Sequence, residues 1–384
     1  MKRRSLMYAG AAVLMAVALA LCACSSAPSA SATPATTSAS AAPTATQAAP
    51  ATATVLQPTA TSSPQPTATT PLQPTPTRVP QPTPTTAPQP SPTSQAAEGP
   101  GTWRVLYTDQ IKGAGFAGIA IGPVGEVYAA QEHWVLKLSA EGAKLAEYGG
   151  ESSNLGPLAG PSGIAVDGEG NLYVVEFSAS RVLKLSPSGE LLARFGGAGT
   201  GPGEFLTPEG IAVDAQGNIY VADRNNGRIQ KLSSTGEPLA QWGKREEFLR
   251  PEGVAVDSQG NVYFTGSGRN WVQKLSPQGK TLAQWGPMGV GPGQSARPIG
   301  IAVDEVGNVY VADPDNRIVQ EFSPQGQALA TWDWSKLAAG EGVCPVFMAA
   351  DGTGNIYVAE QPWSADSAQP STPAHIRKLM LAGQ

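Results

Sequence analysis

One short phrase recurs along the C-terminal part of this chain and constrains its fold more than any other feature. Four copies read Gly-Ile/Val-Ala-Val-Asp, followed after two intervening residues by Gly-Asn. The first and last copies match the same phrase imperfectly. The copies begin at Gly118, Gly163, Gly210, Gly253, Gly300 and Phe347. Their spacing of 43 to 47 residues is typical of an array built from one supersecondary unit.

Each unit has the pattern of four short strands joined by tight turns. In the third copy the expected strands are Ile211–Asp214, Ile219–Asp223, Arg228–Leu232 and Leu239–Trp242. The Asp-x-x-Gly-Asn segment predicts a turn, since aspartate accepts hydrogen bonds from nearby amides and glycine tolerates a positive φ. Small residues in the first strand and an aromatic residue ending the fourth suit sheets arranged radially around an axis. The pattern predicts an all-β, six-bladed β-propeller with four antiparallel strands per blade.

These residues also resemble the NHL repeat family. The resemblance rests on the Gly-Ile-Ala-Val-Asp phrase, on Gly-Asn-Ile-Tyr-Val-Ala-Asp, on Arg-Ile-Gln-Lys and a closing Trp-Gly, and on the connector Gly201–Phe205 before Pro208. It implies a propeller of NHL type. It implies no single function, because such propellers include enzymes, sensors and scaffolds.

The last unit lacks a fourth strand, because its strand pattern ends with the third strand, Ile376–Met380. The segment Thr102–Tyr107 has strand character and belongs to no unit. We therefore expect this N-terminal strand to close the ring, with Trp103, Val105 and Tyr107 on one buried side.

Residues 1–23 have the pattern of a bacterial lipoprotein signal peptide: a basic head, Lys2–Arg4, precedes an apolar run from Leu6 to Leu21. Cys24 is the expected acylated residue, since at Cys22 a leucine would occupy the cleavage position. An ordinary secreted protein cut nearby, or an uncleaved anchor, remains an alternative.

Residues 24–100 are almost wholly Ala, Ser, Thr, Pro and Gln, a composition that cannot bury a core and predicts a disordered stalk. Residues 101–384 would form the propeller. A lipid on Cys24 would tether it to a membrane in the bacterial cell envelope, outside the cytoplasm. With 25 basic and 30 acidic residues and no basic cluster, nucleic acid is not an expected partner.

The two faces of the predicted propeller differ in sequence. On the uniform face lie the repeated turns, such as Asp214–Asn218 and Ser233–Gly236. On the variable face lie the connectors between blades and the turns between second and third strands, including a long insertion that contains Trp363. Specific sites are expected there, on loops held by a rigid scaffold. The expected ligand-binding residues are Trp363, Trp334, Lys244, Arg245, Arg269 and Arg224.

Two histidines, His133 and His375, lie at the third strands of blades that become neighbours after closure. Some NHL propellers are zinc-dependent lyases that act on peptidyl-hydroxyglycine through three histidine ligands, so the resemblance makes these two residues weak candidates for a metal site. A third histidine is missing, and Cys344 is the only other soft ligand in the repeats. We expect no cofactor.

The expected function is that of a monomeric, lipid-anchored, non-catalytic module for binding, sensing or adhesion, with a protein or an envelope glycan as ligand. A resemblance to extracellular propellers of receptor-type bacterial serine/threonine kinases points the same way. The alternative is a metal-dependent lyase or hydrolase that resembles peptidyl-hydroxyglycine amidating lyase. A third class is a structural wall spacer with no saturable ligand.

Overall fold

The computed structural model describes residues 97–98, 101–108, 115–151, 153–244, 247–268, 271–287, 289–338, 342–362 and 374–380. Within these ranges the protein is all-β apart from one helical turn and a short 3₁₀ turn. No helix in this part of the chain has the length and apolar character needed to cross a membrane.

The strands are numbered in chain order. Two precede the first blade: β1 (Ala97–Glu98) and β2 (Thr102–Thr108). Blade one contains β3 (Gly118–Ile121), β4 (Val127–Gln131), β5 (Trp134–Leu138) and β6 (Lys144–Gly149). Blade two contains β7 (Pro161–Val166), β8 (Leu172–Glu176), β9 (Arg181–Leu185) and β10 (Leu191–Gly196). Blade three contains β11 (Pro208–Val213), β12 (Ile219–Asp223), β13 (Arg228–Leu232) and β14 (Pro238–Trp242), with the 3₁₀ turn Arg224–Asn226 between β12 and β13.

Blade four contains β15 (Pro251–Val256), β16 (Val262–Gly266), β17 (Trp271–Leu275) and β18 (Thr281–Trp285). Blade five contains β19 (Ile301–Val303), β20 (Val309–Asp313), β21 (Ile318–Phe322) and β22 (Ala328–Asp333), followed by α1 (Trp334–Leu337). Blade six contains β23 (Val343–Ala350), β24 (Ile356–Pro362) and β25 (His375–Met380).

Blades one to four are antiparallel sheets whose strands follow one another in chain order, and blade three shows the register. Ile211 pairs with Val221, Val221 with Gln230, and Gln230 with Gln241. The hydrophobic core lies between blades, as in the cluster that joins Tyr220 of blade three to Phe264 of blade four. The predicted six-bladed propeller is confirmed.

The repeated aspartates build turns, as the sequence predicts. Asp214 Oδ1 accepts hydrogen bonds from the amides of Gln216 at 3.0 Å and Asn218 at 2.8 Å. Its Oδ2 accepts from the Asn218 side chain at 2.8 Å and from the Tyr220 hydroxyl at 2.9 Å. Lys231 Nζ lies 5.0 Å from the centre of the Tyr220 ring. The same aspartate-to-amide bonds recur at Asp167, Asp257, Asp304 and Asp351.

The glycine that opens the repeated phrase is required by the contact between neighbouring inner strands. A Cβ atom at Gly210 would lie 2.3 Å from the carbonyl oxygen of Glu252 in blade four. At Gly163 it would lie 2.2 Å from the carbonyl oxygen of Glu209 in blade three. Because no side chain fits at such distances, glycine lets the inner strands meet backbone to backbone.

The ring closes through β2, which pairs antiparallel with β25 and supplies the fourth strand of blade six, as predicted. The Trp103 ring packs edge-on against Trp334, with centroids 5.0 Å apart. A register shift between Val105 and Tyr107 breaks the expected alternation. Leu106 is therefore buried, whereas Val105 is 43% exposed, so the prediction that Val105 faces the core is wrong. Within the described residues β1 adds a parallel fifth strand to blade five.

We expect Trp103→Ala to lower the free energy of unfolding by about 2–3 kcal/mol, because it removes a large side chain that joins the closing strand to the core. Chemical denaturation measures the change. Val105→Ala, on the exposed side of the same strand, is the matched control and should cost less than about 0.5 kcal/mol. Equal effects of the two substitutions would contradict this packing.

We expect Gly210→Ala to destabilise the protein by about 3 kcal/mol or more, since the new methyl group would overlap the Glu252 carbonyl oxygen and force the inner strands apart. Gly168, in a turn of blade two, has no atom within 4 Å of an added Cβ. Gly168→Ala should therefore leave the melting temperature nearly unchanged, and a similar loss from both would refute the backbone contact.

Candidate active site

Three of the residues expected at the ligand-binding face, Trp363, Arg245 and Arg269, lie outside the described residues. The lipidation candidate Cys24 also lies outside them. Their roles stay predictions.

Trp334 is placed in the core. It begins α1 with a fully buried side chain, and its indole Nε1 donates a hydrogen bond to Glu360 Oε1 at 2.7 Å. The expectation that Trp334 contacts a ligand is therefore wrong, because the short helix after β22 packs this ring against Trp103 of the closing strand. Lys244 is exposed in the connector after blade three.

The two histidines do not form a metal centre with the groups around them. His133 Nδ1 lies 3.2 Å from the carbonyl oxygen of Leu158, while His375 is buried at the start of β25. Cys344 Sγ donates to the carbonyl oxygen of Gln361 at 3.6 Å. Across the described ranges, no three His, Cys, Asp or Glu side chains are arranged to hold a metal ion.

Arg224 lies close to two carboxylates that the sequence did not single out. It occupies the 3₁₀ turn on the variable face, and only 8% of the residue is exposed. Its Nε lies 3.2 Å from Glu209 Oε1 and 3.6 Å from Glu252 Oε1. The Ser267 hydroxyl donates a hydrogen bond to Glu252 Oε1. We call Glu209, Glu252, Arg224 and Ser267 the carboxylate cluster.

The fold brings these carboxylates together because they hold equivalent positions in adjacent blades. Each glutamate is the second residue of a Pro-Glu-Gly sequence that opens an inner strand, β11 or β15. The glycine contact between these strands places the backbones of Gly210 and Glu252 side by side. Both glutamates therefore lie at the variable-face ends of adjacent inner strands.

The environment of Glu209 favours its neutral form. Burial, followed by the negative charge of Glu252, raises the pKa of Glu209 to about 8, although the guanidinium groups of Arg224, Arg297 and Arg250 act in the opposite direction. The Glu209 side chain is 19% exposed, so it keeps some contact with solvent. A carboxylic acid that keeps its proton at neutral pH can act as a general acid.

The equivalent positions in the other blades are small or apolar: Ala117, Ser162, Ile299 and Val346. Ile299 and Val346 are buried and pack with Cys344 against Phe347. The end of the channel thus has a polar arc in blades two to four and an apolar arc in blades five, six and one.

Two open clefts, of about 580 and 370 Å³, lie elsewhere on the propeller. The larger is on the uniform face and includes Asp167 and Asp351, which already accept the amide bonds of their turns. The smaller surrounds Arg228, which pairs with Asp223 and with backbone carbonyls of the connector. Because their charged groups are satisfied, neither cleft matches the carboxylate cluster as a candidate site.

We expect Glu209→Gln to raise the melting temperature at pH 8–9. Since the pKa of Glu209 is raised by folding, wild-type stability should decline as the pH rises from about 4.5 to about 8, where the unfolded chain has lost the proton and the folded chain retains it. The variant should lack this decline. The control is Glu237→Gln, at an exposed carboxylate of the uniform face. Parallel pH profiles for wild type and Glu209→Gln would count against a raised pKa.

Comparison with known proteins gives one family match and several similar structures. The NHL repeat model matches residues 205–232. No curated protein matches the sequence. A streptogramin B lyase structure is similar with 18% identity and a TM-score of 0.51, covering 73% of this chain and 97% of that chain.

A catalytically inactive virginiamycin B lyase variant from Staphylococcus aureus, solved with quinupristin, has 13% identity and a TM-score of 0.52 over 73% of this chain and 99% of that chain. A gluconolactonase from Xanthomonas campestris has 17% identity and a TM-score of 0.54, and the similarity covers 73% of this chain and 89% of that chain. Identities this low establish similarity of fold alone.

These comparisons correct the prediction of a non-catalytic binding, sensor or adhesion module that is not an enzyme. The similar propellers include a lyase and a gluconolactonase, and a non-catalytic role is not supported. The repeated phrase and the ring of four-stranded blades agree that the chain folds as a six-bladed β-propeller, in which residues 205–232 match the NHL repeat model.

Proposed function

We propose that the protein is an enzyme, a lyase or hydrolase, in which Glu209 acts as an acid–base group at the variable-face end of the central channel. The observation that carries this proposal is the convergence of Glu209 and Glu252, from adjacent blades, on the single buried arginine Arg224. Perturbed carboxyl groups of this kind cluster at functional sites.

The charge balance of the cluster supports catalysis over a structural role. The structural ion pairs of this propeller match one carboxylate to one arginine, as in Asp223–Arg228 at 2.7 Å and Glu360–Arg377 at 2.6 Å. In the carboxylate cluster, two carboxylates lie within 3.6 Å of one guanidinium, and the charges of Arg250 and Arg297 act on Glu209 from outside the cluster. Burying a second carboxylate beside one guanidinium costs free energy, whereas Ile299 fills the equivalent position of blade five without charge.

The solved structures give independent support. Streptogramin B lyase and gluconolactonase share this propeller fold, and their names denote bond-cleaving enzymes. The low identities leave the substrate of this chain open, so the argument for a reaction rests on its own residues.

The cluster offers one proton donor and one proton acceptor. Glu209, whose raised pKa favours the protonated form, would donate its proton to the leaving oxygen of the substrate. Glu252, held by Arg224 and Ser267, would accept a proton either from a carbon of the substrate or from an attacking water. In the first case the carbon electron pair forms a double bond as the carbon–oxygen bond breaks. In the second case, the water oxygen bonds to the carbonyl carbon. The bond from this carbon to the leaving oxygen, which Glu209 protonates, then breaks.

We propose that a lipid on Cys24 attaches the protein to a membrane of the cell envelope, outside the cytoplasm, and that the protein is a monomer. Trp363, Arg245 and Arg269 are proposed to border the variable face, where they would contact larger substrates.

We expect Glu209→Gln to reduce kcat by about 100-fold or more, since an amide cannot donate the required proton. The assay is mass-spectrometric detection of cleavage in a panel of lactones, esters and a streptogramin B. Because the protonated form is the active one, wild-type kcat should fall as the pH rises through about 8. Glu237→Gln, on the uniform face, should retain full activity, and undiminished turnover in Glu209→Gln would contradict the assignment.

A further inference from the structure

One arginine beside the carboxylate cluster, Arg250, acts on Glu209 through its charge alone. Arg250 lies in the connector that leads into β15, two residues before Glu252, and is exposed on the variable face. Its backbone carbonyl accepts a hydrogen bond from the Ser267 amide at 3.3 Å. Within the described parts of the chain its guanidinium group makes no hydrogen bond or ion pair.

The backbone at this position is unfavourable for an arginine. Arg250 has a φ of +54°, in the left-handed region that favours glycine. The residue at the same point of blade two is Gly160, with a φ of +66°, and in blade three it is Thr207, with a φ of +50°. A strained residue next to a candidate active site suggests a use for its side chain.

The charges around Glu209 leave the positive charge of Arg250 unbalanced. Arg224 is matched by Glu252, and Arg297 Nε lies 3.3 Å from Asp315 Oδ1. Burial and the negative charge of Glu252 favour the protonated form of Glu209. With Glu209 protonated, Arg224, Arg250 and Arg297 exceed Glu252 and Asp315 by one positive charge, which attracts anions to this part of the variable face.

We infer that the substrate carries a negatively charged group, a carboxylate or another oxyanion, which Arg250 binds beside Glu209. This inference rests on the proposed function and deepens it by naming the substrate class. An arginine fork matches the two oxygens of such a group. The half-buried Phe347 offers the uncharged remainder of the substrate an apolar contact.

The experiment is isothermal titration of the full mature chain at pH 7 with phenylacetate, inorganic phosphate and the uncharged phenylacetamide. Phenylacetate and phosphate distinguish a carboxylate from a phosphate site. We expect at least one of the two anions to bind, with phenylacetamide at least tenfold weaker than the anion that binds. Arg250→Gln should weaken anion binding about tenfold or more, and Arg250→Lys should retain part of it.

Two further variants separate charge from backbone strain. Arg250→Gly removes the guanidinium group and relieves the positive φ, so it should fold at least as stably as wild type and still lose anion binding. Thr207→Gly relieves the same strain in blade three without a change of charge and should bind anions as wild type does.

The inference is overturned if neither anion binds, if phenylacetamide binds as tightly as the anions, or if Arg250→Gly and Arg250→Gln bind them unchanged. The outcome is separable from that of the proposed function. Loss of turnover in Glu209→Gln with unchanged anion binding in the Arg250 variants would refute the anion site alone. Anion binding through Arg250 in a chain whose turnover survives Glu209→Gln would refute the acid–base role of Glu209 and leave the anion site standing.

Discussion

The backbone contact between neighbouring inner strands is the constraint on which the rest of this propeller depends. An added Cβ at the opening glycine of five blades would lie 2.1 to 2.4 Å from a carbonyl oxygen of the next blade. This contact sets how close the blades lie at the axis. It also fixes the residue before each glycine at the variable-face end of the channel, so a substitution there changes the site without changing the sheet.

The chain uses carboxylates in two physically different ways. The turn aspartates, such as Asp214, accept several hydrogen bonds from amides and a tyrosine, and these bonds satisfy their oxygens within one blade. Glu209 and Glu252 come from different blades and share Arg224. Because two carboxylates meet one guanidinium, one of them is better accommodated with a proton, and this imbalance gives the site its chemistry.

The sequence predicted a large part of the fold and a small part of the site. Ring closure by Thr102–Tyr107 followed from a missing fourth strand, but the burial of Leu106 in place of Val105 did not, because a register shift cannot be read from alternation. Arg224 was expected on the variable face and lies in the cluster. Glu209 and Glu252 were overlooked, although a signal existed: two adjacent copies read Pro-Glu-Gly where the others carry small or apolar residues.

The repeated phrase by itself determined the blade, the number of blades and the turn aspartates, because hydrogen bonds within a blade depend on residues close together in the chain. Only the tertiary structure decided which side chains of different blades meet. Trp334 was buried by packing against the closing strand, and the two glutamates, 43 residues apart, met because their inner strands touch at glycine. Contacts around the axis join residues distant in sequence, so no local pattern records the distance between their side chains.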